Sequence, residues 1–160
     1  MTVPPINDRD VAEQWQTVLL SLRGMFGTFE SPADFSYTGP RGAATGTPLV
    51  NGTNTAQAVV LNTKGWTANV TGIMKAGDYL QVQVSGSFKR LYKVMKDVNS
   101  DASGHATLDI WPRLRETLSD GLSVVISNPM GTFQLTSNQR DFDIDEAGFF
   151  SFDIQAVEAI

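Results

Sequence analysis

The chain has no cysteine, one histidine and only 18% charged residues among its 160. The missing cysteines remove disulfides, thiolate metal sites and a Cys nucleophile together. The lone histidine, His105, is the only residue on which a Ser-His-Asp triad could be built, and no nucleophile motif stands near it. A His-based zinc site lacks ligands for the same reason. Positive charge is also scarce: 12 Lys and Arg stand against 17 Asp and Glu, a net charge of −5, with no basic block. Sequence-independent grip on nucleic acid comes from Lys and Arg neutralising phosphates, so that class is disfavoured. An acidic surface that DNA slides past without sticking is compatible with this charge. No apolar run reaches membrane-spanning length, and no membrane insertion is expected. The opening residues, MTVPPINDRD, show no basic segment followed by an apolar one, so no secretory leader is expected. The sequons Asn51-Gly52-Thr53 and Asn69-Val70-Thr71 are accordingly expected to stay unmodified.

What is present reads as β-structure. The length suits one domain, 1–160, and the 41% apolar fraction suits a folded core. One helix is expected early. Asn7 can cap it with Asp10 three residues on, and Val11, Trp15, Val18, Leu19 and Leu22 fall on one face. Gly24 supplies the stop. Trp15 is expected to dock this helix on a sheet. A short strand is expected over Met25–Glu30. The following Ser31–Gln57 is rich in Gly, Thr and Pro and is expected to be one long loop, a length often tied to function. Ala58–Leu61 and Trp66–Val70 read as strands about a Thr63-Lys64-Gly65 turn.

The most regular stretch is Lys75–Gly121. Asp78–Val84 alternates, with Leu80, Val82 and Val84 on one face and Tyr79, Gln81 and Gln83 on the other. Arg90–Met95, a polar connection at Asn99–Gly104, and Ala106–Trp111 ending at Pro112 follow. Leu122–Ser127, Thr132–Ser137, Phe142–Ile144 and Phe149–Val157 complete the set. Short strands at this spacing imply an all-β fold, an antiparallel sandwich or barrel, with one amphipathic N-terminal helix packed on the sheet.

The constellations that could carry chemistry each have a plainer explanation. Asp141, Asp143 and Asp145 would share a strand face and could begin a calcium site or a hydrolase cleft. The EF-hand pattern fails, because Glu146 stands where glycine should be and Phe152 where the bidentate Glu should be. A solvated strand with Phe142 and Ile144 turned inward is expected instead. Asn99–Gly104 contains residues that make tight turns by bonding their own backbone, so a cation is not needed to explain them. Gly39–Thr47 is glycine-rich but is followed by Pro48, not the Lys and helix of a phosphate loop. Arg113, Arg115, Lys89, Arg90 and Lys93 are interleaved with apolar residues, as at solvated edges or intersubunit ion pairs. Trp66, Trp111, Tyr79 and Tyr92 could offer a sugar-stacking platform, Tyr79 best of all, though aromatics spaced along strands are usually packing residues. No catalytic, cofactor-binding or metal-binding residue is therefore assigned.

A set of small features runs in order through nearly the whole chain. Leu20-Ser21-Leu22-Arg23-Gly24 is followed by Gly27-Thr28-Phe29, and Pro40-Arg41-Gly42 by Gly46-Thr47-Pro48 and Val50-Asn51-Gly52. Lys75-Ala76-Gly77-Asp78-Tyr79-Leu80 precedes Arg90-Leu91-Tyr92-Lys93-Val94 and Asp97-Val98-Asn99-Ser100-Asp101. Ile110-Trp111-Pro112, Gly131 with Phe133, and Val157-Glu158-Ala159 close the set. This order resembles the distal tail proteins at the tail tip, or baseplate, of long-tailed non-contractile bacteriophages. The resemblance implies a structural virion component and not an enzyme. It implies a ring of copies of this chain, usually a hexamer, joining the tail tube protein to the tip hub protein around a lumen for DNA. The long loop and one edge strand are expected to make the ring contacts. Members of the family carry further strands ahead of the helix, where this chain has only Met1–Ile6. A carbohydrate-binding module in a surface-recognition assembly is the alternative.

Overall fold

Alternating burial along short strands builds most of this molecule, and a computed structural model describes residues 2–32, 37–84, 88–138, 142–144 and 148–159. The elements are β1 (Thr2–Ile6), α1 (Arg9–Ser21), a 3₁₀ turn (Gly24–Phe26), β2 (Thr28–Pro32), β3 (Gly46–Val50), β4 (Val60–Trp66), β5 (Tyr79–Gln83), β6 (Lys89–Val94), β7 (Ala106–Trp111), β8 (Val124–Val125), β9 (Met130–Leu135), β10 (Phe142–Ile144), β11 (Phe150–Asp153) and β12 (Ala156–Glu158). The fold class is the expected one: all-β, with antiparallel sheets and a single α-helix. The chain divides into two compact units, Ser31–Gly131 and a terminal unit made of Met1–Glu30 with Thr132–Ile160. No linker composition marks the two crossings, and the sequence did not separate them.

The unit Ser31–Gly131 is one six-stranded sheet in the order β3-β4-β7-β6-β5-β8. Leu49 bridges Ser123, so the first and last strands meet and the sheet curls into a nearly closed barrel. Its lumen is filled by inward residues from every second position. Leu61, Leu80, Val82, Tyr92, Val94 and Leu108 are completely buried there. Burying one such Leu or Val side chain contributes about 1.5–3 kcal/mol, so this core carries the unit. Polar groups inside have partners. Thr63 Oγ1 donates to the Ala106 carbonyl at 2.9 Å and accepts from Trp66 Nε1 at 2.8 Å.

Two strand expectations are corrected here. β4 is one strand running through Thr63-Lys64-Gly65, not two strands about a turn. Gly65 (φ +85°) faces Gly46 (φ +108°), and a Cβ on either would collide with the opposite backbone. The β3–β4 register shifts beside this pair, so the two glycines make a bulge within continuous pairing. The expected loop Ser31–Gln57 in turn contains β3, whose Pro48 and Val50 are buried, and begins inside β2. Arg41 and Ala43 are also tied down. The Arg41 amide and its Nε bond Asp78, at 3.2 and 3.0 Å, and the Ala43 amide donates to the Gly72 carbonyl at 2.8 Å.

The terminal unit holds two three-stranded sheets, β1-β11-β10 and β12-β9-β2, with α1. Ala12, Leu19, Leu135, Phe152 and Ile154 form its core, and Trp15, Leu22 and Phe29 pack on the side. Trp15 thus docks the helix, as expected. The cap is Asp8, one residue beyond the expected Asn7. Its Oδ1 accepts from the amides of Asp10 (2.9 Å) and Val11 (3.4 Å). The buried face is also rotated from the expected one. Small Ala12 lies at the contact, while Val11 and Val18 are exposed. Helix geometry ends at Ser21, before the expected stop at Gly24, and Arg23 is left-handed at φ 50°. Phe149–Val157 is two strands in different sheets, and Ile144 is exposed instead of inward.

Candidate functional site

The outward face of the barrel carries a polar cleft. β4 pairs β7 with Asn62 opposite Thr107 and Thr63 opposite Ala106. Thr63 and Ala106 point in, so Asn62 and Thr107 must point out. Their side chains meet: Thr107 Oγ1 donates to Asn62 Oδ1 at 2.9 Å. Asn51, just past β3, is fixed beside them because its amide donates to the Asn62 carbonyl at 2.9 Å. The connection before β7 forms the far wall with Asn99, Asp101 and His105. The cleft has a volume of about 410 Å³ and is open to solvent.

The far wall is held by turn chemistry, as the sequence indicated. Asp101 Oδ1 accepts from the amides of Ser103 and His105, both at 2.8 Å. These two donors, the His105 amide first, hold the Asp101 carboxyl below its ordinary range. Asn99 Oδ1 accepts from the Gly72 amide at 2.7 Å, and Ser100 Oγ donates to the Thr67 carbonyl at 2.6 Å. His105 lies 3.8 Å from Asp101 Oδ2 and is exposed. The cleft therefore presents amide, hydroxyl, carboxylate and imidazole groups. No serine or threonine among its lining residues is in hydrogen-bond contact with His105.

The other residues singled out by sequence fall elsewhere. Asp141 and Asp145 lie outside the described residues, and of Asp143 only the backbone pairing with Ser151 is described. Among the described residues no group of three or more His, Asp or Glu side chains could hold a metal ion. No helix is long and apolar enough to cross a membrane, again among the described residues. Trp66 and Tyr92 are buried. Tyr79, the expected stacking residue, already has the Lys93 ammonium 4.9 Å from its ring centroid and Tyr37 edge-on at 5.4 Å. Gln81, placed by alternation on the polar face, is buried and accepts the Met130 amide at 2.9 Å. Arg90 is buried too and pairs with Glu116 at 3.3 Å within the chain.

Trp111 differs from the other tryptophans. It occupies the outward face at the end of β7 and is 66% exposed. The sequence offered Trp111 as one of four aromatics of a stacking platform, with packing preferred for all four, and gave Asn62 and Thr107 no binding role. The available signal was parity: Thr107, Asp109 and Trp111 alternate with the apolar Leu108 and Ile110. No family model matches this chain, and no curated protein matches it in sequence.

Proposed function

We propose that this chain is a structural ring subunit of a virion tail tip, placed between tail tube protein and hub protein, with DNA only passing through the central opening of the ring. One observation carries the reading: among the described residues the terminal unit ends each of its sheets after three strands and leaves apolar side chains exposed in the single chain. β1, β10, β12 and β2 are end strands of its two sheets. Val18, Leu20, Met25 and Phe26 are exposed along α1 and the turn after it, Leu20 at 67% and Phe26 at 93%. End strands and exposed apolar groups invite a partner. A closed ring requires two different surfaces on each copy that meet head to tail. The assigned contact surface is the terminal unit, because much of the segment expected to serve as a contact loop is engaged in the barrel. The ordered sequence features resembling distal tail proteins, and the acidic net charge, point the same way.

Native mass spectrometry and electron microscopy of the purified chain test this. A closed oligomer with a central opening is expected. A strictly monomeric protein at high concentration would count decisively against the ring. An activity lost on Asp143→Ala with folding intact would replace it with a hydrolase.

A further inference from the structure

We infer that the outward face of β4 and β7 is a binding surface for a neutral oligosaccharide, running from the Asn62–Thr107 cleft to Trp111. The inference is separate from the ring and does not need it. Three features meet on this face. The cleft offers side-chain amides from Asn51, Asn62 and Asn99, and each amide carries both donor and acceptor. Adjacent sugar hydroxyls also donate and accept, so side-chain amides suit them well. Asn62 and Asn99 use their carbonyl oxygens within the chain, and those bonds fix both side chains in place.

The second feature is Trp111. Parity along β7 places it on the same face as Thr107, about 13 Å away at the usual strand rise. Large aromatics are highly buried on average, so a tryptophan this exposed on a sheet face is informative. Its ring offers an apolar plane for the C–H face of a sugar. The 13 Å reach calls for an oligosaccharide and not one sugar unit.

The third feature is charge. Between cleft and tryptophan lies Asp109, whose carboxylate is paired with Lys96 at 2.8 Å. The cleft itself has Asp101 and no Lys or Arg among its lining residues. Phosphate, sulfate and acidic polysaccharides meet no cation in the cleft, and the two lysines toward Trp111 are engaged, Lys96 by Asp109 and Lys93, opposite Trp111, over the Tyr79 ring, whereas a neutral chain meets hydrogen-bonding groups and an aromatic plane. The volume, about 410 Å³, falls in the range of small-ligand sites.

The full chain should be titrated with maltohexaose, cellohexaose and chitohexaose, following tryptophan fluorescence and calorimetry. Trp66 is buried and Trp15 half-buried, so an emission change reports mainly Trp111. At least one hexasaccharide should bind, its monosaccharide should bind more weakly, and Trp111→Ala and Asn62→Ala should each weaken binding about tenfold. Both positions are exposed, and circular dichroism checks that the variants stay folded. No binding at ~10 mM, well above a millimolar Kd, overturns the inference. So does binding that Asn62→Ala leaves unchanged, or a preference for dextran sulfate over every neutral chain. A Trp111→Ala variant that changes only the oligomer mass, with flat sugar titrations, also overturns it. Mass reads the ring and titration reads the sugar, so each can fail alone.

Discussion

The two units answer the same problem, the exposed sheet edge, in opposite ways. The barrel joins β3 to β8 through Leu49 and Ser123 and thereby removes most of its edge. Among the described residues the terminal unit has three strands per sheet and four end strands. Its core is smaller, and its helix region keeps Leu20 and Phe26 in solvent. The contrast separates a unit that closes on itself from the unit to which the proposal assigns assembly. Closure lets the barrel hold itself together, while an open unit gains by meeting something else.

Truncating the barrel core should have the largest effect. Leu80→Ala should cost about 2–5 kcal/mol, read as a lowered midpoint in chemical denaturation, because a fully buried side chain is lost inside a closed lumen. Asp78→Ala should follow at about 1–3 kcal/mol, since the amides of Arg41 and Lys75 lose a buried acceptor. The partner guanidinium is more than half exposed and is rehydrated, which keeps the effect below that of an orphaned buried charge. In the terminal unit, Asp8→Ala removes the helix cap and should cost about 1 kcal/mol, seen as reduced helical signal or a lower melting temperature.

The sharpest separation comes from Phe26→Ser. Monomer stability should change by less than about 0.5 kcal/mol, because the side chain is almost fully exposed. The oligomer measured by light scattering should nevertheless weaken. A large loss of monomer stability with unchanged assembly would reverse the roles given to the two units. Acid should act locally and least. Asp101 has a depressed folded value, so its turn bonds are in full force above the ordinary carboxylate range. They are lost as pH falls through the depressed value. Amide exchange at Ser103 and His105 should rise there while the barrel core remains protected.

Legibility followed the same division. β5 and β7 could be read because apolar and polar residues alternate along them, whereas β6 is less regular, with Arg90 among its buried positions. β3 could not, because Gly46, Pro48 and the surrounding Gly and Thr look like loop chemistry until β4 is laid beside them. The break assigned at Gly65 came from a turn-like triplet whose glycine serves a bulge. The helix was evident, but its face was misjudged because Ala12 counts little in an apolar pattern and yet is fully buried. The cleft was invisible in sequence for a different reason. Asn51, Asn62, Asn99 and Thr107 come from separate strands and connections, and only the β4–β7 pairing and the turn ahead of it bring them together.

The discontinuous make-up of the terminal unit sets a schedule for synthesis. Its helix emerges early, yet Leu135, Phe152 and Ile154, which cover Ala12 and Leu19, come only after the whole of Ser31–Gly131. At about 5–20 residues per second, the ribosome needs roughly 5–20 s to supply that intervening stretch. During that interval the helix waits without its partners while the barrel, local in the chain, is free to fold. The strands that follow Gly131 are therefore the ones that complete the terminal unit.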